Sequence, residues 1–178
     1  MMKINLTILA FFYAMFVFGQ TKEKELTQAE QFSSQSGTLI ERQFLDIGTV
    51  KGVEVKVLKY KDLNTGNGKS ALRFEFKYKG SYSSATKIAS LDNDEIDGLV
   101  KSMKNLQTNV FPSTRDTYTE VTFRSRTGFE AGAYFSPDKS KWTAYAQLEK
   151  YDSDSMVFLT TDDFMTLLNL IEQAKLKM

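Results

Sequence analysis

Two stretches of the chain carry the same alternation of apolar and polar positions. Ile96, Leu99, Val100, Met103 and Leu106 recur at the spacing of one helical face, and a shift of 68 positions lays them on Phe164, Leu167, Leu168, Ile171 and Ala174. Asp92-x-x-Glu95 and Thr160-x-x-Asp163 stand in front of the two stripes. In each, a short polar side chain can take up the first free amides and a carboxylate three residues on can answer it, which marks a helix start. Short apolar runs, residues 87–91 and 156–159, precede the helices and read as final strands.

Elsewhere the period is two. Val53, Val55 and Val57 alternate with Glu54, Lys56 and Leu58; Leu72, Phe74, Phe76 and Tyr78 alternate with Arg73, Glu75, Lys77 and Lys79. Such runs predict antiparallel strands with one wet face. Asn64-Thr65-Gly66-Asn67-Gly68 supplies the hairpin between them. Weaker strands are expected over residues 39–47 and 83–91. In the second half Val121 and Phe123 lie 68 positions beyond Val53 and Val55, which extends the repeat into the strands at constant spacing. Residues 129–136 and the run through Trp142, Ala144, Ala146 and Leu148 complete the set, with Pro112 ending the first helix and residues 107–117 linking the halves.

The expected fold is α+β: two tandem units of about four antiparallel strands followed by one helix, the helices packed on the sheet. Residues 38–178 form a single domain built as an internal duplication, 38–106 and 118–178. Residues 20–37 read as a flexible N-terminal arm, because nothing caps the short apolar face of Leu26, Ala29 and Phe32. Residues 1–19 read as a signal peptide: Lys3, a mostly apolar run over 4–18, then Val17-Phe18-Gly19 before Gln20. The apolar run is short for a membrane span, so no stable span is expected after cleavage.

Composition narrows the chemistry. The chain has no cysteine and no histidine, which excludes disulfides, thiolate ligands, cysteine nucleophiles and the usual neutral-pH general base. Loss of Lys3 with the leader would leave equal numbers of acidic and basic side chains, so no net field gathers polyanions. Ser84/Lys87 and Ser136/Lys139 match a Ser-x-x-Lys spacing, but a strand and a proline turn do not put the lysine beside the serine. No catalytic residue, cofactor or metal is expected. The acids Asp92, Asp94, Glu95 and Asp97, then Asp152 and Asp154, then Asp162 and Asp163, could serve a hard cation or a carboxylate hydrolase. Their places at helix starts fit amide capping and dipole complementation better.

The outward strand positions hold the remaining candidates. Lys56, Tyr60, Arg73, Lys77, Arg124, Arg126 and Tyr145 alternate away from the apolar stripes, with Glu54, Glu75 and Glu149 among them. They are the expected ligand-binding residues, set against a plainer reading as a solvated face of cross-strand ion pairs.

Two consecutive four-strand-plus-helix units resemble the Whirly and Pur-alpha type single-stranded nucleic-acid binders. Asn67-Gly68-Lys69-Ser70-Ala71-Leu72 is similar to the Lys-Gly-Lys-Ala-Ala-Leu stretch of plant Whirly proteins, without its first lysine and with Ser70 for its first alanine. The resemblance implies Lys69 as the basic contact. The leader and the balanced charge point instead to an exported, periplasmic or secreted, non-catalytic binding domain for an envelope or extracellular ligand or protein. A single-stranded nucleic-acid or polyanion binder is the alternative.

Overall fold

The computed structural model describes residues 25–80 and 84–178. Helix α1 (Gln28–Ser33) leads into β1 (Ile40–Val50), β2 (Val53–Asp62), β3 (Gly68–Lys79) and β4 (Ser84–Asp92), an antiparallel sheet in sequence order, here sheet A. Helix α2 (Asn93–Asn105) follows. Strands β5 (Thr119–Arg124), β6 (Glu130–Ser136), β7 (Lys141–Gln147) and β8 (Met156–Leu159) repeat the meander as sheet B, and α3 (Thr161–Lys175) follows them. Two four-strand-plus-helix units of the α+β class are therefore present, as the two hydrophobic periods predict.

Local chemistry sets the turns and helix starts. Lys51 and Gly52 both have positive φ, 49° and 79°, between the paired Val50 and Val53, which is the twist a two-residue hairpin needs. Thr160 Oγ1 accepts from the Asp163 amide at 3.1 Å while Asp163 accepts from the Thr160 amide at 3.0 Å, a complete capping box for α3.

The units share one core. Val53, Val55, Val57, Leu72, Phe74 and Leu91 of sheet A pack in the same cluster as Ala131, Ala133, Ala144 and Ala146 of sheet B and the inner stripes of α2 and α3. All five matched positions of α3 are buried, as are Ile96, Leu99, Met103 and Leu106 of the first stripe. Helix α3, the closing element of the second unit, lies on β1, β2 and β3 of the first; α2 touches β5 and β6 as well as β3 and β4. The contact is close enough that a Cβ on Gly48 of β1 would stand 2.5 Å from Leu170 Cδ2. Phe74 of β3 and Phe129, just before β6, stack with centroids 4.5 Å apart and planes 6° apart.

Three expectations need correction. The constant spacing holds for the helices but not for the strands: Val53 and Val55 lie on the second strand of sheet A, whereas Val121 and Phe123 lie on the first strand of sheet B. Sheet B's strands are shorter and its connections differ in length from those of sheet A, so topological equivalents drift apart in sequence. Within the segment read as an arm, Gln28–Ser33 is helical. Its cap lies in Thr27, which accepts from the Glu30 amide at 3.0 Å and whose own amide donates to Glu30 Oε2 at 3.0 Å. The link after α2 begins with a π-helical turn, Leu106–Val110, that buries both of its ends before Pro112 stops it.

Candidate functional site

The outward face of sheet A is a lattice of ion pairs. Register sets Glu54 against Glu75 and Lys56 against Arg73, so like charges stand directly opposite and would repel. The side chains resolve this diagonally. Lys56 Nζ lies 2.8 Å from Glu54, 3.0 Å from Glu75 and 3.7 Å from Asp46; Arg73 Nε reaches Glu75 at 2.6 Å, and Lys77 reaches Glu54 at 3.2 Å. The Lys56 hydrogen bond holds the Glu54 carboxyl below its ordinary range, helped by Lys77. Burial pushes Glu75 up, but Arg73 and Lys56 more than offset this and leave it lowered. The same two carboxylates raise Lys56.

The seven residues singled out in the sequence do not form one surface. Lys56, Arg73 and Lys77 share sheet A. Tyr60 lies on that same face but is only 6% exposed, packed with Ala29 of α1, Leu58 and Ala71; burial raises its phenol. Arg124 and Tyr145 are on sheet B, where Arg124 Nε donates to Glu130 at 2.7 Å. Tyr145 is equally buried, and its hydroxyl meets Thr122 Oγ1 at 2.7 Å. Register puts Gly132 of β6 between Thr122 and Tyr145, so the phenol spans that strand at its glycine.

Arg126 belongs to the loop after β5 and acts as a staple. Its guanidinium donates to Asp92 at 2.7 Å and Asp94 at 2.9 Å, and its amide donates to Glu95 at 2.6 Å. The buried Asp92 carboxylate also accepts the first amides of α1, Gln28 at 2.8 Å and Ala29 at 3.3 Å. The expected capping box opens α2, with the Asp92 amide donating to Glu95 at 3.2 Å, and the Asp92 carboxylate serves α1 as well. Asp92, Asp94 and Glu95 lie close enough together to suit a cation, but Arg126 already supplies the positive charge there. Asp97 pairs with Lys175, Asp152 with Lys87, and Asp163 with Thr160 and Lys51. These acids work as caps and ion-pair partners.

A cavity of about 620 Å³ opens where β3 runs past the end of β4, lined by Lys59, Lys61, Lys69, Glu41, Asp94 and Met178 among others. Lys69 is thus at a strand margin, with acids of its own around it.

Sheet B's outer face contributes what the sequence reading passed over. Tyr118, 60% exposed, and Phe158, 57% exposed, flank the half-buried Tyr134. The Tyr118 and Tyr134 centroids are 6.0 Å apart at 32°, and those of Tyr134 and Phe158 are 6.5 Å apart at 78°. Phe158 sits between the buried Val157 and Leu159, and Tyr134 between the buried Ala133 and Phe135, an alternation that burial reveals and residue type does not. In all-apolar runs such as Met-Val-Phe-Leu the outward residue cannot be told from the inward ones.

Comparison with protein-family models, curated proteins and solved structures finds no match for this chain.

Proposed function

We propose that the protein is an exported, non-catalytic binding domain that engages a protein partner through the outer face of sheet B, with Tyr118, Tyr134 and Phe158 as its contact aromatics. One observation carries this reading: the three rings form a partly exposed apolar cluster, while Lys56, Arg73 and Lys77 of the neighbouring sheet are each tied to a carboxylate. Aromatic clusters of this kind are enriched where proteins meet. Their mutual angles argue for that partner class. Rings tilted and edge-on to one another make a ridged patch, whereas bases and sugar rings favour flat stacking platforms with cations along the backbone path. Arg124, on the same sheet, is spent on Glu130. Export rests on the leader pattern of residues 1–19, which lie outside the described residues. No helix among those described is long and apolar enough to cross a membrane.

The test is cross-linking in cells that express the full-length gene, comparing the wild type with a Tyr118→Ser/Phe158→Ser variant. The intact mass and cell fraction of the chain are read in the same samples. The expected result is a chain beginning at Gln20 outside the cytosol, and a discrete cross-linked partner that the variant loses at an unchanged melting temperature. Cross-links indifferent to the substitution would remove the face from consideration. Oligonucleotide binding that falls steeply with salt would replace the reading with the polyanion one.

A further inference from the structure

The two sheets expose four edges, and the structure treats them differently. The β4 edge is covered by sheet B loops: Glu149 accepts from the Ile88 amide at 3.3 Å, Thr127 donates to the Ser90 carbonyl at 2.8 Å, and Lys87 pairs with Asp152. The edges of sheet B are short, with six residues in β5 and four in β8. Strand β1 is the exception. It runs for 11 residues and is the terminal strand of sheet A, with β2 its one sheet neighbour among the described residues. An edge of that length offers a row of backbone donors and acceptors to another chain.

We infer that β1 pairs antiparallel with β1 of a second copy of this chain, about a two-fold axis at Phe44, joining the two A sheets into one eight-stranded sheet. The side chains select this register. Pairing about a two-fold axis keeps outward residues opposite outward residues, so the axis passes through one residue and sets its neighbours against each other. With the axis at Phe44, Arg42 of each copy faces Asp46 of the other, and the two Phe44 rings meet between the ion pairs. An axis at Arg42 sets arginine against arginine. An axis at Asp46 sets aspartate against aspartate, and one at Gln43 or Leu45 matches no opposite charges. All three residues are available: Phe44 is 56% exposed, Arg42 is exposed and rests on the Tyr60 ring, and the Asp46 side chain extends into solvent beyond Lys56. This surface lies on sheet A, apart from the aromatic cluster of sheet B.

The experiment is sedimentation equilibrium of the protein purified from cells expressing the full-length gene, over a wide concentration range. The wild type is expected to move from one chain's mass towards two as concentration rises. Phe44→Lys should abolish this shift. Asp46→Arg should abolish it as well, because Arg42 then faces arginine, and Arg42→Asp combined with Asp46→Arg should restore it. Far-ultraviolet circular dichroism and melting temperature establish that each variant is folded; all the substituted side chains are exposed. A wild type monomeric throughout, a dimer indifferent to Asp46→Arg, or a folded double variant that stays monomeric would each overturn the inference.

Discussion

Arg126 holds Asp92 at 2.7 Å across the boundary between the units, and that one carboxylate also caps the first turn of α1. A loop of sheet B, the start of α2 and the N-terminal helix therefore meet at a single buried charge. Removing the guanidinium leaves Asp92 with backbone amides alone. Arg126→Ala should destabilise the fold, because the buried Asp92 loses its charge-assisted hydrogen bond. Hydrogen exchange at Gln28 and Ala29 should accelerate more than at the core strands. Arg126→Lys should recover little, since an ammonium cannot span Asp92 and Asp94 with two separate nitrogens. Chemical denaturation and amide exchange measure both effects.

The stacked rings of Phe74 and Phe129 lie on opposite sides of the same boundary. Both are fully buried, so Phe129→Ala should lower unfolding stability by about 3–5 kcal/mol. Because the core is shared, urea unfolding monitored by Trp142 fluorescence in sheet B and by circular dichroism should remain one coincident transition. Separate transitions would mean that the units are energetically independent.

Gly132 is required by its neighbours rather than by its own φ. A Cβ there would stand 2.5 Å from the Val121 carbonyl oxygen and 2.9 Å from Thr122 Oγ1. Gly132→Ala should destabilise by about 1–3 kcal/mol, as overpacking against backbone does. Tyr145→Phe, which removes only the hydroxyl that reaches Thr122, should cost about 1 kcal/mol. Thermal melts of the two variants make the comparison.

Acid should weaken the protein through the sheet A lattice. Glu54 and Glu75 have folded pKa values below the ordinary 4.5, so their contribution is present above that value and is lost as pH falls through the folded values. Replacing Lys56 with Met should lower the melting temperature at neutral pH and flatten its decline on the acid side. A melting-temperature series against pH for both proteins tests this.

At the alkaline end, the hydrogen bond to Glu120 pushes the Tyr118 phenol up to about 12, with its residual burial adding to the effect. A raised folded pKa stabilises the protonated form, so that contribution is complete below the ordinary value of 10 and is lost as pH rises through about 12. Tyrosinate absorbance should show a late-titrating phenol that Glu120→Gln moves back towards the ordinary value.

The helices and the sheet class were legible because one face of each element is buried and the other is wet. Ile96, Leu99 and Met103, or Val53, Val55 and Val57, then announce their period. Position within a sheet was not legible: Val121 and Val53 share pattern and spacing, yet strand order depends on hairpin lengths that periodicity does not encode. Side-chain allegiance was hidden for the same reason. Arg126 looks like any outward arginine until a loop of the second unit brings it to the start of α2, and Tyr60 looks outward until α1 covers it. The aromatic cluster was obscured by strands whose two faces are both apolar, where alternation carries no contrast.

The placement of α3 has a consequence for how the molecule is made. The segment that covers β1 and β2 is synthesised after both sheets, so that part of the first sheet's inner face stays bare until α3 has been made. A stop codon just before Thr161 would therefore strip the N-terminal half of its lid, and the damage would surface far from the truncation. Such a fragment belongs with chaperones and proteases rather than in solution, and the halves are poor candidates for separate expression.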